Sequence, residues 1–216
     1  MAINVAIKET LLAVRRVPVT VGFVALLAAA EIGYALLARP DATRLAAWAS
    51  TNVDRLRTEP IGPMVVSAFV VEDHPFAWLV IAAVAFALVE WRVGWWRALA
   101  PAVAAHVVGT LVSEGIVWWR VDDHALPTSE LYQLDIGASY VVVGVLAVAV
   151  VVAPRAGQIV AAGLLVALSP SLLDGTSTLA VPAVGHLTAA AVGFASGAVL
   201  RRNARIAGYW PARRPM

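Results

Sequence analysis

The feature that most constrains this chain is a series of six mainly apolar runs separated by more polar links. The runs occupy residues 17–38, 75–89, 98–117, 136–153, 157–168 and 179–200. A helix needs about 20 apolar residues to cross a bilayer core, and the fifth run is the shortest of the six. Backbone amides in hydrocarbon need internal partners, and the runs lack the alternation of barrel strands. The sequence therefore predicts an all-α polytopic membrane protein with six transmembrane helices, forming one domain over residues 1–216.

The composition supports a bilayer environment and limits the possible partners. Hydrophobic residues make up 61% of the chain and charged residues 14%, whereas soluble domains are about half apolar and a quarter charged. A formal net charge of +2 is too small to indicate nucleic-acid binding. Without cysteine there is no thiolate metal site, and His106, Glu114, Asp123 and His124 do not form a ligand-spaced set. We expect no metal and no other cofactor.

Cationic residues mark alternate links and predict the orientation. They precede the first run, separate the second from the third, follow the fourth and end the chain: Lys8, Arg15, Arg16, Arg92, Arg97, Arg155, Arg201, Arg202, Arg205, Arg213 and Arg214. If the spans alternate, all these segments lie on one side, which the positive-inside rule places in the cytoplasm. We expect a multi-pass protein of the cell membrane with both termini cytoplasmic, and a basic cytoplasmic tail over residues 201–216.

The link over residues 39–73 is too long to be a simple connection. Its charges are mixed, and Leu45, Trp48, Val53 and Leu56 suggest an amphipathic stretch at the membrane surface. The sequence predicts a long outer loop that contains an interfacial helix.

Four polar residues lie inside or at the ends of the runs, where they cost free energy and therefore suggest function. They are Glu31, His106, Ser139 and His186. For Glu31 and His106, a structural hydrogen bond and a functional role both remain open. A transporter or channel is the weaker alternative, because two such groups are too few for an ion route.

Ser139 and His186 differ because the predicted topology places them at the same depth. With a helical rise of about 1.5 Å per residue, both lie within roughly 10 Å of the outer ends of the fourth and sixth spans. Small residues favour close packing of these spans: Gly137 and Gly144 on one, and Gly185, Ala189, Gly193 and Gly197 on the other. The pair could form an imidazole-activated nucleophile. Alternatively, the serine bonds its own helix and the histidine meets interfacial water.

Two segments around these residues are similar to known motifs. Gly137, Ala138 and Ser139 resemble the GxSG nucleophile motif of the rhomboid intramembrane serine proteases. Gly185 and His186, with the small residues that follow, resemble the histidine helix of that family.

Further matches extend the resemblance over residues 66–200. Ser67, Ala68 and Phe69 precede the second span as in rhomboids, and Glu90, Arg92 and Gly94 follow it like the family's E-x-R-x-G turn. The chain therefore resembles a divergent member of the rhomboid-like family. The resemblance implies six spans and cleavage of transmembrane substrates.

The resemblance also implies roles for individual residues. Ser139 would be the nucleophile, its backbone amide an oxyanion donor, and His186 the general base and then acid. Tyr140 replaces the glycine after the nucleophile, where the family has close helix contact, and Val143 replaces the aromatic residue that stacks on the histidine. The family's HxxxN pair would fall within residues 77–82, which hold neither residue type, and His74 just upstream is the possible substitute.

Two functions are consistent with these observations. The first is an intramembrane serine protease with a reduced oxyanion hole, since loss of one donor costs about 100- to 1000-fold in rate. The second is an inactive relative that binds transmembrane partners or serves as a structural subunit. Fold alone does not decide between them.

Overall fold

The structure is a computed structural model that describes residues 16–71 and 74–206, with side chains as far as Asn203. Its α-helices are α1 (Pro18–Leu36), α2 (Arg39–Ala49), α3 (Val53–Thr58), α4 (Ile61–Val66), α5 (Pro75–Val93), α6 (Trp95–Asp122), α7 (Ser139–Val152), α8 (Arg155–Leu172) and α9 (Val181–Ile206). Short 3-10 turns occupy Ser67–Phe69, Thr128–Tyr132 and Thr176–Thr178. No strand occurs within the described ranges, so the all-α prediction is confirmed for them.

Five helices in the described part of the chain are long and apolar enough to cross a membrane: α1, α5, α6, α8 and α9. The remaining predicted span corresponds to α7, which has 14 residues and begins at Ser139 rather than at residue 136. The fifth run covers 12 residues of α8, and the helix itself extends over 18 residues. Its polar first turn and the serines near its end interrupt the apolar pattern but not the helix.

Helix α7 forms the centre of the bundle. It packs against α5, α6, α8 and α9, and the side chains from Tyr140 to Ala149 are all buried. Gly144 lies against Ala105 of α6 on one side, and Gly193 of α9 lies against the Gly144 carbonyl on the other. A Cβ built on Gly197 would lie 2.9 Å from the Val151 Cβ. These small residues let the backbones of α6 and α9 approach α7 closely.

Each end of the bundle gathers several helix ends. Ser139, Leu172 and Val181 lie at one end, which we call the Ser139 end. The opposite end, which we call the Gly94 end, contains the turn between α5 and α6. Gly94 has a φ of +84° there, a value that favours glycine.

Glu90 joins two helices at the Gly94 end. Its carboxylate accepts hydrogen bonds from the backbone N–H groups of Val19 and Thr20 at 2.8 and 2.7 Å, and from the Thr20 hydroxyl at 2.7 Å. Glu90 is only 1% exposed, and no side chain of α1 itself caps that helix. The glutamate of the E-x-R-x-G segment thus caps a neighbouring helix. Arg92, two residues later, is exposed.

We expect Glu90→Gln to destabilise the protein by about 1–3 kcal/mol. The amide keeps one acceptor oxygen but presents an N–H group to buried donors, which leaves hydrogen bonds unmade. Thermal unfolding in detergent measures the loss, and Glu59→Gln, at an exposed glutamate, is the matched control. Equal unfolding temperatures for Glu90→Gln and the wild type would contradict the capping role.

In the segment after α1, predicted to be a long outer loop with an interfacial helix, the described residues form three short helices, α2, α3 and α4. Buried and half-buried side chains of the bundle hold it in place. Glu31 accepts a 2.7 Å hydrogen bond from the Val71 N–H, and the His106 Nε2 lies 2.8 Å from the Met64 carbonyl. The structural alternative for Glu31 and His106 therefore has direct support.

Part of the charge pattern lies outside the described residues. This applies to Lys8, Arg15, Asp73, Arg213 and Arg214, and to the side chain of Arg205. The predicted tail over residues 201–216 begins inside a helix, because α9 continues to Ile206. Residues 207–216 lie outside the described part.

Candidate active site

The structure brings Ser139 and His186 into hydrogen-bonding contact. Ser139 is the first residue of α7 and His186 lies in the second turn of α9. The distance between Ser139 Oγ and His186 Nε2 is 2.9 Å. His186 is 8% exposed, whereas Ser139 is only partly buried. A hydroxyl within hydrogen-bonding distance of an imidazole is the arrangement by which a base can activate a serine.

The second ring nitrogen of His186 fixes the tautomer. Its Nδ1 lies 3.1 Å from the carbonyl oxygen of Leu172, the last residue of α8. A carbonyl can only accept, so Nδ1 carries the proton. In the neutral ring, Nε2 then has a free lone pair directed at the Ser139 hydroxyl. The ring is thus held by a backbone carbonyl on one side and by the serine hydroxyl on the other.

Tyr140, next to the serine, supports the imidazole from the protein interior. Its ring meets the His186 ring edge-on, with centroids 5.2 Å apart and planes at 81°. It is 3% exposed, and its hydroxyl lies 3.3 Å from Asp135 Oδ1 and 3.2 Å from the Val181 carbonyl. A Cβ on Gly185 would overlap this ring. Glycine on α9 therefore provides the space that the tyrosine on α7 fills.

A hydrogen-bonded segment sets the position of the α7 N-terminus. Gly137 donates its N–H to the Ser67 carbonyl at 3.0 Å and has a φ of +147°. Two residues earlier, the Asp135 carbonyl accepts from the Thr51 N–H at 2.8 Å, and Asp135 Oδ2 lies 3.1 Å from the Thr51 hydroxyl. Ser50 accepts from the Asp135 N–H at 3.0 Å. The link between α2 and α3, which contains Ser50 and Thr51, thus fixes the position of the chain that leads to Ser139.

Burial governs the ionisation of Asp135. It raises the pKa of this carboxyl to about 6, and hydrogen bonds from Thr51 and Tyr140 oppose the rise. The sequence reasoning did not single out Asp135, Thr51 or Ser50. The one available signal was an aspartate placed directly before the fourth apolar run.

Comparison with known protein families agrees with this arrangement. A family model described as rhomboid-like protein matches residues 12–206. The chain belongs to the rhomboid-like proteins. No curated protein and no solved structure matches it. The family match includes every helix described above, so the chain is a rhomboid-like multi-pass membrane protein.

This rhomboid-like protein has few side-chain donors in the α5 stretch where the protease family has its HxxxN pair. Among residues 77–82, only Trp78 carries a side-chain N–H, a donor that the sequence reasoning overlooked. His74 caps α5 from an exposed position with a φ of 54°, and its side chain makes no cap hydrogen bond. Backbone N–H groups in the first turn of α7 have no side-chain cap and are free to act as donors. Val143 is buried in the core, so the ring beside His186 comes from Tyr140.

The remaining candidate residues belong to the turn after α5 or to the packing of helices. Glu90, Arg92 and Gly94 are at the Gly94 end, at the opposite end of α5 from His74. Ala189 lies against Gly109, with a distance of 3.6 Å from the Ala189 Cβ to a Cβ built on that glycine. With Gly193 and Gly197, it belongs to the packing of α9 rather than to the reacting groups. Among the described residues, no cluster of ligand-type side chains could hold a metal ion.

Proposed function

We propose that this rhomboid-like membrane protein is an intramembrane serine protease that cleaves transmembrane protein substrates. The observation that carries the proposal is the 2.9 Å contact between Ser139 Oγ and His186 Nε2. The Leu172 carbonyl on Nδ1 supports it further, because it selects the tautomer that can accept the serine proton.

The proposed reaction uses the two side chains in sequence. Ser139 Oγ attacks the scissile carbonyl carbon while His186 Nε2 takes its proton, and the carbonyl oxygen becomes an oxyanion. The N–H groups at the α7 N-terminus stabilise that charge. His186 then gives the proton to the leaving amine as the C–N bond breaks. A water molecule repeats the cycle on the acyl-enzyme and restores Ser139.

The length of α7 supports access for water. Its 14 residues span about 21 Å, whereas a bilayer core is about 30 Å thick. With the Pro154 and Arg155 turn at the far membrane surface, Ser139 lies about 9 Å below the near surface. Hydrolysis needs water at this depth, and the water must enter between the helices from the near surface.

The proposal includes six spans with both termini in the cytoplasm. Exposed tryptophans mark both ends of α6, at Trp95 and Trp96 and again at Trp118 and Trp119, as in interfacial aromatic belts. Trp96 and Trp118 lie about 33 Å apart along the helix, close to the thickness of a bilayer core. Arg16 lies over the Trp91 ring at 5.5 Å, which adds a cation to the Gly94 end.

We expect a reporter fused after Met216 to be active only in the cytoplasm. The physical reason is the concentration of arginines in the links at the Gly94 end, which the positive-inside rule retains on that side. Paired fusions of a cytoplasm-active and an export-active reporter measure the orientation. A fusion inserted after Ala125, in the link between α6 and α7, is the opposite-side control. External activity after Met216 would overturn the proposed orientation.

A second function remains supported by the short supply of oxyanion donors. Trp78 is the one side-chain N–H donor in the α5 stretch where the protease family has a histidine and an asparagine. A rhomboid-like protein lacking these donors could bind transmembrane partners without cleaving them, or act as a structural subunit.

Labelling with a fluorophosphonate separates the two functions. In membranes containing the protease, we expect the probe to modify Ser139, because the adjacent imidazole activates the hydroxyl. Ser139→Ala removes the label and His186→Ala reduces it by about 100-fold or more. Ser171→Ala, at an exposed serine of α8, is the control and keeps the label. Absence of label from the folded wild type would favour the binding function.

A further inference from the structure

A concave site lies between α3 and α6 at the Ser139 end. This groove has a volume of about 330 Å³. Leu111, Gly115 and Trp118 form the α6 wall, and Val53, Leu56 and Arg57 form the α3 wall. From Leu111 to Trp118 the α6 wall runs for about 10 Å along the helix. The groove is thus elongated along the span and apolar over most of its length.

Gly115 keeps the groove open. A Cβ built on this glycine meets no atom within 4 Å. The flanking Leu111 and Trp118 are each 53% exposed. Leu111 and Trp118 lie about one turn before and after Gly115 on the same face of α6, so the glycine deepens the groove between α3 and α6 into a channel.

The charge in the groove is concentrated at its mouth. Arg57 is exposed at the end of α3 and forms no ion pair within the described ranges. The other ionisable lining residue is Glu114, which is 3% exposed and whose carboxyl interacts with the backbone amide of Val53. A ligand at the mouth therefore meets a cation, an indole ring and an apolar channel beneath them.

We infer that this groove binds one phospholipid from the leaflet on the Ser139 side. The Arg57 guanidinium binds the phosphate, since its planar donors match phosphate oxygens. Trp118 lies at the headgroup level, where indole rings prefer to reside. One acyl chain follows the channel over Gly115 toward Leu111. The site is separate from the Ser139 and His186 dyad and does not depend on the proposed protease activity.

Native mass spectrometry with added phosphatidylglycerol tests the site. Arg57→Gln should weaken the tightest lipid-binding event by about fivefold, through loss of one cation at the membrane surface. Gly115→Leu should weaken it by about tenfold or more, because the new side chain fills the channel and has open space around it. Thermal unfolding of both variants checks that the fold is retained.

Two matched controls sharpen the comparison. Gly33→Leu adds the same side chain at a helical glycine of α1 that also has open surroundings. Arg44→Gln removes an exposed cation elsewhere in the segment 39–73, from α2. Both should bind lipid as the wild type does. Wild-type lipid affinity in Gly115→Leu and Arg57→Gln would overturn the inference. So would unchanged lipid binding with an altered oligomeric state, which would make the groove a docking surface for another helix.

Discussion

Ser139→Ala and His186→Ala are each expected to abolish cleavage of a co-expressed single-span membrane protein. The expected loss is about a thousandfold or more for either change, because the hydroxyl and the imidazole act as one unit. The double variant should lose no more than either single variant. Quantitative detection of the cleaved fragment measures the rates. The basis is the contact between Ser139 Oγ and His186 Nε2.

Controls separate lost chemistry from lost folding. Ser171→Ala should cleave at the wild-type rate, and both dyad variants should retain membrane insertion and substrate association. Retained association with lost cleavage is the expected pattern for a protease whose binding surface lies apart from its nucleophile. Full cleavage by Ser139→Ala would remove the catalytic role of that residue. If the wild type binds the single-span protein without cleaving it, the binding function would be favoured.

Gly193→Leu is expected to cause the largest loss of stability of any single change considered. A Cβ at this position would overlap the Gly144 carbonyl oxygen and lie 2.8 Å from the Ala147 Cβ. The obstacle is mostly backbone, which cannot rotate away as a side-chain tip can. Overpacking in cores costs about 1–3 kcal/mol and occasionally more, and we expect about 3 kcal/mol or above here.

Graded substitutions test the packing directly. Gly193→Ala should destabilise the protein less than leucine does. Gly163→Ala, on α8 with open surroundings, should leave stability unchanged or raise it, because alanine favours a helix by about 1 kcal/mol over glycine. Thermal unfolding in detergent gives the order. The fluorophosphonate label on Ser139 should fall with Gly193→Leu, because α7 and α9 carry the dyad. An unchanged unfolding temperature for Gly193→Leu would show that these helices do not pack as described.

Local sequence signals predicted the membrane-spanning helices and the similar depth of Ser139 and His186. Apolar runs indicate spanning helices because their constraint is local: each backbone amide must find a partner within its own segment. Equal depth follows from counting residues at a fixed rise. Both arguments need no knowledge of side-chain packing.

Other features depended on contacts between distant segments and could not be predicted. The capping of α1 by Glu90 joins residues about 70 positions apart, and no local pattern records it. The Tyr140 ring fills the space that Gly185 leaves on the facing helix. In the sequence, Tyr140 was only a departure from the family's motif. The bounds of α7 and α8 were misjudged because polar residues at helix ends interrupt an apolar run without ending the helix.

The carbonyl of Leu172 gives the dyad an electrostatic character of its own. It is the last residue of α8, so its oxygen belongs to the partly negative terminus of a helix dipole. In the proposed reaction, this terminus stabilises the imidazolium that forms on His186, as a carboxylate does in a three-residue triad. A fractional backbone charge needs no counter-ion in a low-dielectric setting, where an ionised carboxyl is costly. The strength of the base is therefore tied to where α8 ends, and not to any acidic side chain.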